Sequence, residues 1–153
     1  MPSAPGVRLF WAMLLGLLLS TGPAVAEQRG RVMAPAGVAL AGFDPVAYFT
    51  DGRAVPGRTD IALRWRGVRW HFATAAHRAA FEANPKAYVP QFGGLCALSV
   101  VRGEPEPGHP EHWTIVDGRL YFAAGAAQLA QVMGDPAGTI RNARSNWAAA
   151  RAD

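Results

Sequence analysis

The chain has little of what stabilises or anchors many small proteins, because it contains one cysteine, one lysine and no apolar run long enough to span a bilayer. A single thiol excludes an internal disulfide, so stability has to come from packing. The basic residues are almost all arginine, are dispersed along the chain and leave a net charge of only +4. A nucleic-acid binder is expected to cluster such charge on one surface. We therefore expect no nucleic-acid partner.

The N-terminal 26 residues have the layout of a secretory signal peptide. Arg8 precedes an apolar run at residues 9–19, and the small residues 24–26 follow it. This run is shorter than the roughly 18 to 20 residues that a membrane span requires. We expect cleavage after Ala26, which leaves a periplasmic or secreted chain of 127 residues with a net charge of +3 and no membrane anchor.

The mature length suits one domain with a single core. Residues 27–39, rich in Gly, Ala and Pro, predict a flexible lead-in, and residues 40–151 form the domain. Within it, the segment 42–49 predicts a strand, or a turn followed by a strand, because Pro45 opposes a central helix.

Two antiparallel β-hairpins are predicted by apolar alternation around two-residue turns. The first turns at Arg66-Gly67 and the second at Asp117-Gly118. The apolar cross-strand pairs are then Trp65 with Val68, Leu63 with Trp70, Ile61 with Phe72, Ile115 with Leu120 and Trp113 with Phe122.

The opposite face of the first hairpin carries Arg64, Arg66, Arg69 and His71. Like charges directly across a strand pair repel each other. This face is therefore either solvated or meets an anion, and solvation is the simpler interpretation.

Helices are predicted around these hairpins. Thr74 caps a helix that runs to Asn84, a second helix covers residues 126–133, and Asp135-Pro136 begins a third. The predicted fold class is α+β: a small single domain with two antiparallel β-hairpins and several short helices.

Few side chains point to chemistry. Cys96 follows Gly93-Gly94, and it is open whether it is a small buried hydrophobe, a thiolate metal ligand or a redox-active thiol. His109 and His112 lie in a proline-rich loop, residues 103–112, with oxygen and nitrogen donors close in sequence. Proline in this loop opposes the helical spacing that would bring both rings together. No complete catalytic motif is present, so we expect no turnover.

Several segments, taken in order, resemble the YHS-domain family, in particular exported bacterial YHS domain-containing proteins. They are residues 42–49, 70–72, 84–88, 93–97 and 113–121, and the resemblance covers roughly residues 39–147. It implies a small α+β domain associated with heavy-metal handling, especially of copper. Metal-linked members carry cysteines where this chain has Ala47, Ala73 and His77, so the usual thiolate set is absent.

The metal ligands that the resemblance leaves are Cys96, Asp44, Tyr48 and His77. A thiolate with an imidazole favours copper or zinc. The leading expectation is a periplasmic ligand-binding module linked to copper or zinc handling. One alternative is a thiol-redox protein that acts through Cys96, by forming a sulfenic acid or pairing with a partner thiol. Another is a structural domain whose basic hairpin face docks a protein partner.

Overall fold

The computed structural model describes residues 32–150; the predicted signal peptide and the first part of the predicted lead-in lie outside them. In this range, two two-stranded antiparallel sheets and six α-helices confirm the α+β class. The elements are α1 (Ala47–Thr50), β1 (Arg58–Trp65), β2 (Val68–Phe72), α2 (Ala75–Ala83), α3 (Pro85–Tyr88), α4 (Ala97–Arg102), β3 (Trp113–Val116), β4 (Arg119–Phe122), α5 (Ala126–Gly134) and α6 (Pro136–Ala149), with 3-10 turns at Pro35–Gly37, Ala39–Gly42 and Gln91–Gly94. None of the helices in this range is long and apolar enough to cross a membrane.

Both predicted hairpins form, and the residues of their two-residue turns have positive φ. Positive φ at both central residues is the geometry of the type I′ turn. Four of the five predicted apolar pairs are confirmed. The pair of Ile61 with Phe72 is wrong, because the register shifts between Arg58 and Ala62 and puts Arg58 opposite Phe72. Such a shift, with extra residues in one strand, is a β-bulge, and it interrupts the alternation of inward and outward side chains.

The predicted strand within residues 42–49 is also wrong, because this segment leads into helix α1. Asp44 Oδ1 accepts hydrogen bonds from Val46 N at 2.8 Å and from Ala47 N at 3.4 Å. A side-chain oxygen that accepts from the first free amides is what begins a helix. Asp44-Pro45 therefore forms a turn that leads directly into α1, which begins at Ala47.

Strand β4 lies between two apolar clusters. Leu120 and Phe122 belong to a cluster with the aromatic residues of β2 and α2, among them Trp70 and Phe81. Tyr121 belongs to a second cluster, formed largely by α4, α5 and α6. Successive side chains of a strand point to opposite faces, so one short strand joins both parts of the core.

The outer face of the first hairpin is solvated only in part. Val38, in the predicted lead-in, pairs with Arg69 of β2, and the neighbouring Ala39 is fully buried. The prediction of a solvent-facing His71 is wrong, since this residue is only 7% exposed. Gly57 packs on it so closely that a Cβ there would lie 2.5 Å from the His71 carbonyl carbon.

Candidate functional site

Asp44 is a fully buried carboxylate at the junction of α1, β2 and α2. Its Oδ1 accepts from the start of α1, as described above. Its Oδ2 accepts from Ala73 N at 2.7 Å and lies 2.7 Å from Nδ1 of His77. Hydrogen bonds to an ionised acceptor are among the strongest in proteins. Asp44 therefore holds three elements in place and has no oxygen left facing solvent.

His77 lies in the first turn of α2, where its backbone amide donates to Thr74 Oγ1 at 3.1 Å. Because Asp44 Oδ2 can only accept, the hydrogen-bond pattern assigns a hydrogen to Nδ1 of His77. In the neutral ring, Nε2 then carries a lone pair. Nε2 lies 3.2 Å from Thr50 Oγ1 and 3.7 Å from Asp51 Oδ1, and the side chain is 15% exposed.

Three possible metal donors meet at the C-terminal end of α1. They are His77 Nε2, Thr50 Oγ1 and Asp51 Oδ1, and the two oxygens lie 2.7 Å apart. With the separations of 3.2 and 3.7 Å from Nε2, these atoms form a small triangle. A point about 2.1 Å from all three atoms, the usual length of a bond from zinc to nitrogen or oxygen, lies slightly out of the plane of this triangle. We call these three side chains the His77 site.

The order carboxylate, imidazole, hydroxyl is also that of a hydrolytic triad. The Thr50 hydroxyl has one proton and three acceptors: Asp51 Oδ1 at 2.7 Å, Val46 O at 3.2 Å and His77 Nε2 at 3.2 Å. The shortest contact is to the carboxylate, which is also the strongest type of acceptor. The geometry therefore gives poor support to Thr50 as a nucleophile activated by His77.

Tyr48 is buried, and its hydroxyl donates to Pro110 O at 2.9 Å. Burial, followed by the negative charges of Asp44 and Glu111, raises the pKa of Tyr48 well above its ordinary value. A metal-binding phenol has to lose its proton, and this surrounding opposes that loss. Tyr48 is thereby a packing and hydrogen-bonding residue.

Cys96 immediately precedes α4 and is fully buried. Its backbone amide donates to Glu106 O at 2.9 Å, and its backbone pairs with Phe122. Of the four predicted ligands, only Asp44 and His77 form a hydrogen bond with each other within residues 32–150. The Tyr48 hydroxyl bonds to Pro110, and the Cys96 backbone amide bonds to Glu106. Within residues 32–150, no group of three or more His, Cys, Asp or Glu side chains is placed to hold a metal ion.

The rings of His109 and His112 lie close together, with centroids 5.1 Å apart, so the proline between them does not separate them. His109 Nδ1, however, accepts from Glu111 N at 3.2 Å. In the neutral ring this leaves the hydrogen on Nε2, where a metal would have to bind. This pair is a weaker candidate for a metal site than His77.

Two residues of the His77 site, Thr50 and Asp51, were not predicted from the sequence. The missed signal is Asp44-Pro45: if it is taken as a helix start, Thr50 and Asp51 fall at the end of a short helix.

Comparison of the chain with protein-family models, with curated proteins and with solved structures found no match. The fold and the site define a small α+β domain with a buried carboxylate that orients a partly exposed imidazole. The resemblance to YHS domains stays a prediction.

Proposed function

We propose that this protein is an exported metal-binding module that holds a divalent transition-metal ion, copper(II) or zinc, at the His77 site and does not turn over a substrate. The observation that carries the proposal is the 2.7 Å contact between Asp44 Oδ2 and His77 Nδ1. Histidines that bind metals commonly donate the second ring N–H to a carboxylate, which fixes the tautomer and the ring orientation. Asp44 is the carboxylate that accepts this N–H from His77, and Nε2 of the same ring faces Thr50 Oγ1 and Asp51 Oδ1.

The roles of the three proposed ligands follow from their contacts. His77 Nε2 and the Asp51 carboxylate supply the main bonds to the metal. With a metal bound, the Thr50 hydrogen would turn from Asp51 Oδ1 to Val46 O, 3.2 Å away, and Oγ1 would offer a lone pair to the metal. Water completes the coordination at this partly exposed position. Cys96 is left out of the ligand set because it is fully buried.

Titration calorimetry of the purified protein with Zn²⁺ and with Cu²⁺ tests the proposal. We expect one ion per chain, no binding by His77→Gln, and an affinity lowered about tenfold or more in Asp51→Asn. His109→Gln is the matched control, because it removes an exposed imidazole elsewhere and leaves the His77 site intact.

Absence of saturable binding, or its loss in His109→Gln but not in His77→Gln, contradicts the proposal. Loss of binding in Cys96→Ala, with His77→Gln unaffected, would instead support a thiolate site of the kind that the sequence predicted. The thiol-redox alternative receives less support from the structure, because reactive cysteines are partly exposed.

Export is the part of the proposal that rests on the N-terminal pattern of Arg8 and residues 9–26 alone. N-terminal sequencing of the protein recovered from the periplasm or the medium tests it. We expect the mature chain to begin at Glu27, and recovery of an intact N-terminus in the cytoplasm contradicts export.

A further inference from the structure

Two arginines on the first hairpin stand directly across from each other. Arg64 of β1 is the register partner of Arg69 of β2, and both side chains are exposed. Residues directly opposite in an antiparallel pair have Cβ atoms about 4.5–5.5 Å apart, and like charges at that distance destabilise the sheet. The hairpin therefore carries a local repulsion that its fold does not require.

Neighbouring arginines have partners, which makes the pair distinct. Arg58 forms a salt bridge with Asp60 at 2.7 Å, and Arg66 stacks over the ring of the preceding tryptophan at 4.6 Å. Within residues 32–150, no side-chain hydrogen bond or ion pair joins Arg64 or Arg69 to another residue. Among these residues, no acidic side chain neutralises the two exposed guanidinium groups.

A loop from the N-terminal side turns this charged face into a cleft. The backbone at Val38 pairs with Arg69, so the loop runs beside β2. The cleft has a volume of about 310 Å³ and is lined by Ala36, Gly37, Val38, Arg64, Gly67 and Arg69. All of its lining side chains are small, apolar or cationic, so nothing in the lining neutralises the two arginines.

We propose that this cleft binds a small oxyanion, a compact ligand with a phosphate group or paired carboxylates, between the guanidinium groups of Arg64 and Arg69. Guanidinium presents a planar fork of donors that matches such oxygens. An anion between two opposed arginines replaces their repulsion with two attractions. The volume suits a small molecule, since clefts for such ligands begin near 300 Å³. The proposal is independent of the His77 site.

The test is calorimetric titration of the purified, metal-free protein with inorganic pyrophosphate, and separately with citrate, at constant ionic strength. At least one of the two anions is expected to bind saturably, and the stronger one assigns the phosphate or the carboxylate chemistry. Arg64→Gln and Arg69→Gln are each expected to weaken binding about tenfold or more, the effect of losing one charged hydrogen bond. Arg141→Gln is the matched control, an exposed arginine on α6, and is expected to bind normally.

Unfolding of the same variants without anion supplies a second readout. Arg69→Gln is expected to be at least as stable as the parent protein, because it removes one of two opposed like charges. Absence of saturable binding of both anions, or equal weakening in Arg141→Gln, overturns the proposal. So does a loss of stability in anion-free Arg69→Gln, which would show that Arg69 is retained for the fold.

Discussion

Replacing Asp44 with asparagine tests the buried hydrogen bonds that support both the fold and the proposed metal site. The shape of the side chain is kept, and its remaining oxygen can still accept from Val46 N. In place of the second oxygen, an amide NH₂ faces Ala73 N and His77 Nδ1 and cannot accept from either. It can donate to Nδ1 only if the ring hydrogen moves to Nε2.

The size of the effect follows from the two 2.7 Å contacts of Oδ2. A hydrogen bond to a charged acceptor contributes about 1.5–3 kcal/mol, and an ordinary one that replaces it at His77 returns about 1 kcal/mol. The amide of Ala73 is left without its acceptor. We expect the free energy of unfolding to fall by about 2–5 kcal/mol, a large part of the roughly 5–15 kcal/mol typical of a domain. A hydrogen on Nε2 also blocks metal binding, so the affinity is expected to fall about 10- to 100-fold.

Urea unfolding followed by tryptophan fluorescence measures the stability of Asp44→Asn, and ¹⁵N NMR of the imidazole nitrogens reports the tautomer of His77. Asp51→Asn is the control for stability, because it changes a carboxylate near the surface and is expected to cost less than about 0.5 kcal/mol. The reasoning is refuted if Asp44→Asn is as stable as Asp51→Asn. It is also refuted if Nδ1 of His77 keeps its hydrogen in the Asp44→Asn protein.

Three further variants or measurements examine other parts of the domain. Tyr48→Phe loses a hydrogen bond and is expected to cost about 1 kcal/mol near neutral pH. Burial raises the pKa of Tyr48 above the unfolded value of about 10, so the parent protein loses stability as the pH rises past that value. Urea titrations above that pH should therefore show a smaller difference in stability between Tyr48→Phe and the parent protein. Gly57→Ala puts a methyl group 2.5 Å from the His71 carbonyl carbon and is expected to cost about 1–3 kcal/mol in urea unfolding, unlike Gly134→Ala, which has open space. Because Cys96 is fully buried, we expect its thiol to be alkylated about 100-fold more slowly in the folded protein than in the urea-unfolded chain. Similar alkylation rates in the two states would show that the thiol is accessible in the folded protein.

The sequence predicted those elements whose signals are local. Both hairpins form around two-residue turns with positive φ, which Asp117-Gly118 favours at both positions and Arg66-Gly67 favours only at its glycine. The start of α6 was predicted from Asp135-Pro136, where Asp135 Oδ1 accepts from Gly138 N at 2.9 Å. The same residue pair at Asp44-Pro45 was missed, because α1 has four residues and is too short to show a helical period.

The site was predictable only in part, because it depends on contacts between distant segments. Asp44 and His77 were named as ligands from the family resemblance. They are 33 residues apart, and Asp44 supports the imidazole instead of facing the metal position that we propose. The proximity of Thr50 and Asp51 to His77 depends on how α1 packs on α2. No local sequence pattern encodes that packing. Nor does any local pattern encode the close contact between the Gly57 backbone and His71.

The donor types at the His77 site decide which metal it favours and how redox state affects binding. One imidazole nitrogen and two oxygens suit copper(II) and zinc, and copper(II) binds such a set more tightly than zinc does. Copper(I) prefers soft sulfur ligands, and the one thiol, Cys96, is fully buried and outside the proposed set. Equilibrium dialysis should therefore show Cu²⁺ displacing Zn²⁺ from the protein, and ascorbate releasing the copper as Cu⁺. Copper that stays bound after reduction would contradict a ligand set of one imidazole and two oxygens, because oxygen donors are poor ligands for Cu⁺.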